Sequence, residues 1–385
     1  MVSTLVVATI KQQEKRNLVR FCYICCLIVL AALTLLVAIS VPTAKDTSNF
    51  GTLWASGRAA AHGLDPYAAY PETHREDWSR SGGPSRAPDL NLNPPVTIPL
   101  FQLLSYLPLK RFIAVWAAGT WLCLALGMTL IFIGRPLIQL RQMIWLSLSM
   151  PTLFTLAFGQ IYGHLFLVAA LALVFYERDN ELATAIMIGM LVAIRPTMAF
   201  WPVFLYLASY RRVAIKAVGV AAALYTLPLP FYGTLIYRQW FYTLQNDAHW
   251  MSRANIGFTA FAHRMGYRPI GIILAVAAAG ACAIWIHRSK ADFISASGAA
   301  LCIGIISAPV GWVPYVIFAA PFFVARRWGG VATAAALAFF VPAPLLGSLW
   351  GPAFLLAVMA ILCIFCSQMH RNPHSVAIRK SSQIC

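Results

Sequence analysis

Residues 112–134 read FIAVWAAGTWLCLALGMTLIFIG, an apolar run without a charged residue that begins directly after Lys110 and Arg111. A helix needs about 20 residues to cross the roughly 30 Å hydrocarbon core of a bilayer, so this run is long enough. Comparable apolar runs recur on both sides of it, separated by short basic turns. The pattern predicts an all-α polytopic membrane protein.

The composition indicates the same class. Of the 385 residues, 60% are hydrophobic and only 11% are charged, whereas a soluble domain carries about 25% charged residues. One aqueous core cannot enclose so many apolar side chains. The chain has room for roughly ten to twelve spans, and we expect them near residues 21–41, 112–134, 143–158, 161–176, 182–194, 197–209, 213–230, 269–287, 292–308, 314–325, 328–349 and 351–368.

The net charge of +17 is distributed in short clusters between the apolar runs, such as Arg211, Arg212 and Lys216. Basic clusters of this kind mark cytoplasmic turns. They favour anionic membrane lipid as the electrostatic partner and argue against nucleic acid. We therefore expect a multi-pass membrane protein with both termini in the cytoplasm.

Polar segments mark the two ends of the predicted membrane domain and its two larger loops. We expect one membrane domain over residues 21–368, with cytoplasmic ends at residues 1–20 and 369–385. A long first extracytoplasmic loop covers residues 42–111 and finishes in an interfacial or re-entrant helix after Pro94 and Pro95, because the apolar stretch there is too short to span. A second extracytoplasmic segment covers residues 231–268.

Several apolar runs are short and meet at Gly159-Gln160, Arg195-Pro196 and Pro309. Such junctions imply non-helical backbone at membrane depth, which is tolerated only where protein or a wet cavity surrounds it. The short runs therefore predict a cavity that opens toward the outer face.

Two polar residues stand at these junctions. Arg195 is an ionisable residue at membrane depth, and such residues are functional candidates. Its guanidinium could clamp a phosphate or diphosphate in bidentate fashion, or it could snorkel to the interface and anchor a helix end. Gln160 stands where a span starts, either contacting an anion or a sugar hydroxyl or simply capping the helix.

The long polar loop holds half of the acidic residues of the chain. Asp46 follows the first span closely, and a carboxylate so near the membrane could act as general base on a substrate hydroxyl. Asp65 precedes Pro66-Tyr67, a pattern typical of a turn. Acidic and basic side chains alternate between Glu72 and Arg80, which favours a solvated ion-pairing surface.

Motifs of soluble enzymes do not occur: there is no Gly-rich phosphate loop, His-Glu-x-x-His or Gly-x-Ser-x-Gly. ATP-driven chemistry is therefore not expected. Trp312 and Tyr315, near Pro309, could stack on a sugar ring, although aromatic side chains are common at membrane interfaces without any such role.

Several short motifs, weak one by one, gain specificity from their order. They are Phe50-x-x-x-Trp54 with Ala55-Ser56-Gly57-Arg58, Gly63-Leu64-Asp65-Pro66-Tyr67, Asn91-Leu92-Asn93-Pro94-Pro95, Phe158-Gly159-Gln160, Ile194-Arg195-Pro196 and Ser307-Ala308-Pro309 with Trp312 and Tyr315. On these motifs the chain resembles the family-87 glycosyltransferases, polyprenol-phosphate-mannose-dependent membrane enzymes of the GT-C architecture. The resemblance covers about residues 45–325.

The resemblance implies a GT-C-like bundle and an inverting transfer of a hexose, often mannose, from a polyprenyl phosphate to a lipid or glycan acceptor at the extracytoplasmic face. It implies no cofactor and no metal. Asp46 would then be the catalytic base, and the implied substrate-binding residues are Asn49, Arg58, Asp65, Tyr67, Gln160, Arg195, Trp312 and Tyr315. The chain departs from the family at two positions: Asn49 replaces the aspartate usual before Phe50, and Pro314 replaces a histidine or acidic residue before Tyr315.

Two other functions stay open. A binder or flippase of lipid-linked sugars would keep the cavity and lack the base. A secondary transporter would place paired charges near the bilayer midplane and show repeated halves, and neither is visible in the sequence.

Overall fold

The computed structural model describes residues 17, 21–36, 39, 48–68, 90–133, 140–246, 255–326, 328–341 and 350–367. These ranges are almost entirely helical. Within them the only β pairing is one isolated antiparallel bridge between Asn255 and Trp312. The predicted all-α fold is confirmed.

The helices are numbered here in chain order. The first nine are α1 (Phe21–Leu36), α2 (Ser48–Ala61), α3 (Ile98–Ser105), α4 (Leu109–Ile133), α5 (Leu140–Leu148), α6 (Met150–Phe158), α7 (Tyr162–Glu177), α8 (Glu181–Ile194) and α9 (Phe200–Leu207). The others are α10 (Arg211–Thr226), α11 (Leu229–Tyr232), α12 (Leu235–Asn246), α13 (Phe258–Arg264), α14 (Arg268–Ser289), α15 (Phe293–Ile306), α16 (Val316–Val324), α17 (Gly330–Leu337) and α18 (Trp350–Ser367). Short 3₁₀ turns cover Pro95–Thr97, Pro196–Ala199, Val313–Tyr315 and Ala338–Phe340.

Three helical stretches are long and apolar enough to cross a membrane by length and composition: Leu109–Phe132, Arg211–Tyr232 and Arg268–Ser289. Their outer surfaces are apolar as well. On α14, for example, Ile273 and Val276 expose about two thirds of their surface, at 65% and 67%. Apolar side chains exposed along a helix of this length are stable against lipid and not against water. The structure is therefore that of a membrane protein.

Helix α15 forms the centre of the bundle. It packs against α9, α14, α16 and α18, and nearly all of its residues are buried. A helix that is apolar all round, as this one is, is expected to be enclosed on every side. Small residues allow the close packing: a Cβ at Gly298 would lie 2.1 Å from the ring of Phe365 on α18.

Proline and serine break two predicted spans into shorter pieces. The expected span 143–158 holds the end of α5 and all of α6, because Ser149 has extended backbone (φ −73°, ψ 156°) and Pro151 starts the next helix. The expected span 197–209 begins with a 3₁₀ turn at Pro196. Arg195, before that proline, has left the helical region (φ −134°, ψ 86°), as a residue preceding proline tends to do.

The expected helix near residues 96–109 forms as the 3₁₀ turn Pro95–Thr97 and α3, which packs against α2. Its position relative to a membrane stays a prediction, as do the domain boundaries. The predicted cytoplasmic ends, apart from residue 17, and residues 69–89 of the first loop lie outside the described residues.

Candidate functional site

The helix junctions singled out in the sequence surround one cavity of about 130 Å³. At roughly 30 Å³ per water molecule this is room for about four waters. Its lining comes from α2, the segment before α3, the α6–α7 and α8–α9 junctions and the loop before α16. The lining residues are Thr52, Leu90, Leu92, Asn93, Phe158, Gln160, Tyr162, Arg195, Trp312, Pro314 and Tyr315.

Arg195 is the charged residue of this cavity. It follows the last residue of α8, its backbone N–H donates to Leu191 O at 2.8 Å, and only 8% of its surface is exposed. An arginine that snorkels to an interface would expose its guanidinium, so the structure does not support the anchoring alternative. Arg195 lies inside the protein and faces the cavity.

Two tyrosine rings flank this guanidinium. Its Cζ lies 5.1 Å from the ring centroid of Tyr162 and 5.0 Å from that of Tyr315. The two rings meet edge to face at 5.1 Å. Cation–π contacts of this kind stabilise a desolvated guanidinium by up to about 2 kcal/mol each.

No carboxylate in the described part of the chain pairs with Arg195, and its Nε has no hydrogen-bond partner there. Buried charges in proteins are normally paired, because desolvation of an ion costs several kcal/mol. Among the described residues, the guanidinium of Arg195 therefore has no countercharge.

A second unpaired polar atom belongs to Asn93. Asn91 Oδ1 accepts from the backbone N–H of Asn93 at 3.0 Å and from its Nδ2 at 2.8 Å. This fixes the side chain of Asn93, which is 4% exposed, and leaves its Oδ1 without a partner among the described residues. This Oδ1 is itself buried in the ligand-free protein, beside the cavity that Asn93 lines.

Gly159 shapes the cavity where α6 ends. It adopts the left-handed conformation (φ 62°), and its carbonyl accepts a hydrogen bond from Trp116 Nε1 at 2.6 Å. The ring of Phe50 packs directly on it, since a Cβ there would lie 2.3 Å from Phe50 Cζ. Gln160 follows and lines the cavity. The prediction that a helix starts at Gln160 is wrong, because α7 begins only at Tyr162.

Four of the predicted site residues therefore come together around one cavity, namely Gln160, Arg195, Trp312 and Tyr315. Their roles stay predictions. The sequence reasoning did not single out Thr52, Asn93 or Tyr162 as site residues. A signal existed for all three: Thr52 lies within Phe50-x-x-x-Trp54, Asn93 belongs to Asn91–Pro95, and Tyr162 follows Phe158–Gln160 by two residues.

Three further predicted site residues lie elsewhere in the described structure. Asp65 Oδ1 accepts from the backbone N–H of Tyr67 at 2.8 Å, so the carboxylate stabilises the turn after α2, the alternative that the sequence favoured. The hydroxyl of Tyr67 donates to Asn93 O at 2.9 Å, and burial raises the pKa of this phenol well above its ordinary value. Arg58 belongs to the last turn of α2. None of the three lines the cavity as described.

Asp46 lies outside the described residues, and of Asn49 the structure describes only the backbone, in α2. Their predicted roles as base and substrate contact are therefore untested. Within the described ranges no three His, Cys, Asp or Glu side chains come together as metal ligands.

A family model described as glycosyltransferase family 87 matches residues 91–309, more than half of the chain. The match includes Asn93, Gln160 and Arg195. No curated protein and no solved structure matches the chain.

Proposed function

The chain belongs to glycosyltransferase family 87, and we propose that it transfers a hexose from a polyprenyl-phosphate donor to a lipid or glycan acceptor. The reaction would take place at the extracytoplasmic face of a bacterial inner membrane, with both chain ends in the cytoplasm. The basic clusters between the spans support this orientation. Anionic lipid would surround the protein as its membrane partner.

Arg195 carries the proposal. A buried guanidinium without a described carboxylate partner gains most from a ligand that is itself anionic. The phosphate of a lipid-linked sugar has this charge, and its oxygens match the donor fork of arginine. A cavity of about 130 Å³ takes a phosphate group and not a whole lipid-linked sugar, so the rest of the donor must extend beyond it.

The uncharged lining residues suit a sugar. Trp312 presents an aromatic surface, and the side-chain amides of Gln160 and Asn93 can bond hydroxyl groups. Polar groups at fixed positions beside aromatic side chains are typical of small-molecule sites. We propose that these three residues contact the hexose while Arg195 and Tyr315 hold the phosphate.

In the proposed reaction an acceptor hydroxyl attacks the anomeric carbon, and the bond from that carbon to the phosphate oxygen breaks. The electron pair leaves with polyprenyl phosphate, whose charge Arg195 stabilises. The hydroxyl proton passes to a carboxylate acting as general base. One displacement inverts the anomeric centre, and neither cofactor nor metal takes part in this scheme.

Asp46 is our proposal for that base. It precedes α2, in which Thr52 lines the cavity. Asp46 stands six residues before Thr52 in the sequence, and its side chain is the carboxylate that a general base requires.

A second candidate function is binding or flipping of lipid-linked sugars without transfer. It is favoured by the absence of any carboxylate among the described lining residues, and by Asn49 at the position where the family usually has aspartate. Donor binding without turnover, whatever acceptor is supplied, would support it. A secondary transporter remains a weaker alternative.

The test uses the full-length protein in lipid nanodiscs with radiolabelled polyprenyl-phosphate mannose. Arg195→Gln should lower donor affinity about 10- to 150-fold, because a hydrogen bond to a charged group contributes about 1.5–3 kcal/mol. Arg211→Gln is the matched control: Arg211 also lies over a tyrosine ring, 5.4 Å from the centroid of Tyr206, but is exposed and outside the cavity lining. Equal affinity in both variants would remove Arg195 from the site.

The same preparation separates the two candidate functions. Wild-type protein should release polyprenyl phosphate in the presence of membrane acceptors, and Asp46→Ala should bind the donor normally while losing turnover. Unchanged turnover in Asp46→Ala would exclude Asp46 as the base.

A further inference from the structure

We infer that Asn255 is a positioning residue of the cavity: its side-chain amide holds the loop at residues 309–312 so that Trp312 and Tyr315 line the site. The inference rests on the proposed function and deepens it, because it connects the second predicted extracytoplasmic segment to donor binding. Asn255 itself touches neither the cavity nor, in this scheme, the substrate.

The side chain of Asn255 connects two distant stretches of backbone. It is completely buried, and its Oδ1 accepts from Gly257 N at 3.0 Å and from Gly311 N at 2.9 Å. Its Nδ2 donates to Pro309 O at 2.7 Å. One amide thereby bonds three backbone groups, of which the N–H groups of Gly257 and Gly311 are buried and would be costly to leave without a partner.

The backbone reinforces this connection. Ile256 N donates to Gly311 O at 2.7 Å, and Asn255 and Trp312 form the isolated antiparallel bridge. The contact is also sterically tight, because a Cβ at Gly311 would lie 2.2 Å from Ile305 O. The loop therefore has one position against its neighbours, and Asn255 determines it.

The cavity depends on that position. Trp312 is itself part of the bridge, Tyr315 follows three residues later, and both line the cavity. The ring of Tyr315 lies 5.0 Å from Arg195 Cζ. On the other side, Arg264 Nη1 donates to Asn255 O at 3.0 Å, which ties α13 to the same point. A shift at Asn255 would thus move an aromatic wall of the site.

The loop contacts can be tested without any ligand. In protein labelled with 5-fluorotryptophan, the ¹⁹F resonance of Trp312 is assigned by its loss in Trp312→Phe. Asn255→Ala should shift or broaden this resonance and leave those of Trp145 and Trp201, buried in the helical bundle, unchanged. Asn246→Ala is the matched control, since Asn246 is exposed and its amide bonds only the carbonyl of its own helix.

Donor affinity is the second readout. A displacement of about 1 Å at a positioning residue can cost about 100-fold, so Asn255→Ala should bind polyprenyl-phosphate mannose at least about tenfold more weakly than Asn246→Ala. Asn255→Asp keeps an acceptor oxygen for Gly257 N and Gly311 N but places its second carboxylate oxygen against Pro309 O, so it should also bind the donor more weakly than Asn246→Ala.

Three results would decide against the inference. These are an unmoved Trp312 resonance in Asn255→Ala, a moved resonance with unchanged donor affinity, and equal affinity in Asn255→Ala and Asn246→Ala. If Asn255→Ala does not fold, the same comparisons apply to Asn255→Asp. Failure of the wild-type protein to bind the donor would refute the proposed function instead, and the fluorine resonances would still report on the loop.

Discussion

Replacing Gly159 by alanine tests whether the first predicted loop supports the cavity through Phe50. Gly159 has φ 62°, and a Cβ there would lie 2.3–2.4 Å from three carbons of the Phe50 ring. The left-handed conformation costs a non-glycine residue about 1–2 kcal/mol, and overpacking of a buried site costs about 1–3 kcal/mol. Gly159→Ala should therefore lower the free energy of unfolding by about 2–5 kcal/mol.

The assay is equilibrium unfolding of the purified protein in detergent, with Gly219→Ala as matched control. Gly219 belongs to helix α10, and a Cβ there would meet nothing within 4 Å. Because alanine is the better helix former, Gly219→Ala should be neutral or stabilise the protein by up to about 1 kcal/mol. Both variants add one methyl group, so the comparison isolates the backbone conformation and the contact with Phe50.

A double-mutant cycle with Phe50→Leu separates these two terms. The smaller leucine side chain relieves the overlap with the new methyl group. The double variant should therefore lose about 0.5–3 kcal/mol less free energy of unfolding than the losses of the two single variants added together. Strict additivity would show that the two residues do not touch. A Gly159→Ala variant as stable as Gly219→Ala would refute the whole argument.

Three further predictions concern stability. Arg195→Gln should keep the Tm of the ligand-free protein within about 3 °C of wild type in differential scanning fluorimetry. The variant loses the cation–π contacts, but it also removes an unpaired buried charge, and the two effects offset each other. A larger drop in Tm would mean that the charge stabilises the fold. Tyr67→Phe should lower the free energy of unfolding by about 1–3 kcal/mol in denaturant titrations, since Asn93 O loses its donor, and no change would contradict that bond. Asp292→Ala should lower the free energy of unfolding by about 0.5–2 kcal/mol in the same titrations, because Asp292 Oδ1 accepts from Ile294 N and Ser295 N and caps the start of α15. An unchanged free energy would contradict this cap.

Helix positions were predictable wherever hydrophobicity alone decides them. The expected span 161–176 corresponds to α7 (Tyr162–Glu177), because an apolar run bounded by polar residues has no alternative to a helix in lipid. The breaks within runs were harder to place. Hydropathy predicted one continuous span over residues 143–158, whereas Pro151, two residues after Ser149, was the local signal for the break.

The cavity could be predicted because its residues lie in short motifs that can be recognised in the sequence. Arg195-Pro196 and Gly159-Gln160 signal non-helical backbone, and an arginine at such a point indicates a site. Asn255 could not be found in this way. Its function depends on carbonyl and N–H groups of residues 309–311, and nothing in the sequence around position 255 indicates which distant backbone it will meet.

The enclosed position of α15 has a consequence for biosynthesis. Its Gly298 surface is covered by Phe365 of α18, which leaves the ribosome several seconds later at about 5–20 residues per second. During that interval the Gly298 side of α15 lacks its partner helix and is in contact with the translocon or with lipid. Helix α18 therefore completes the packing around α15. A nascent chain arrested before α18 is made should be degraded preferentially by membrane quality-control proteases.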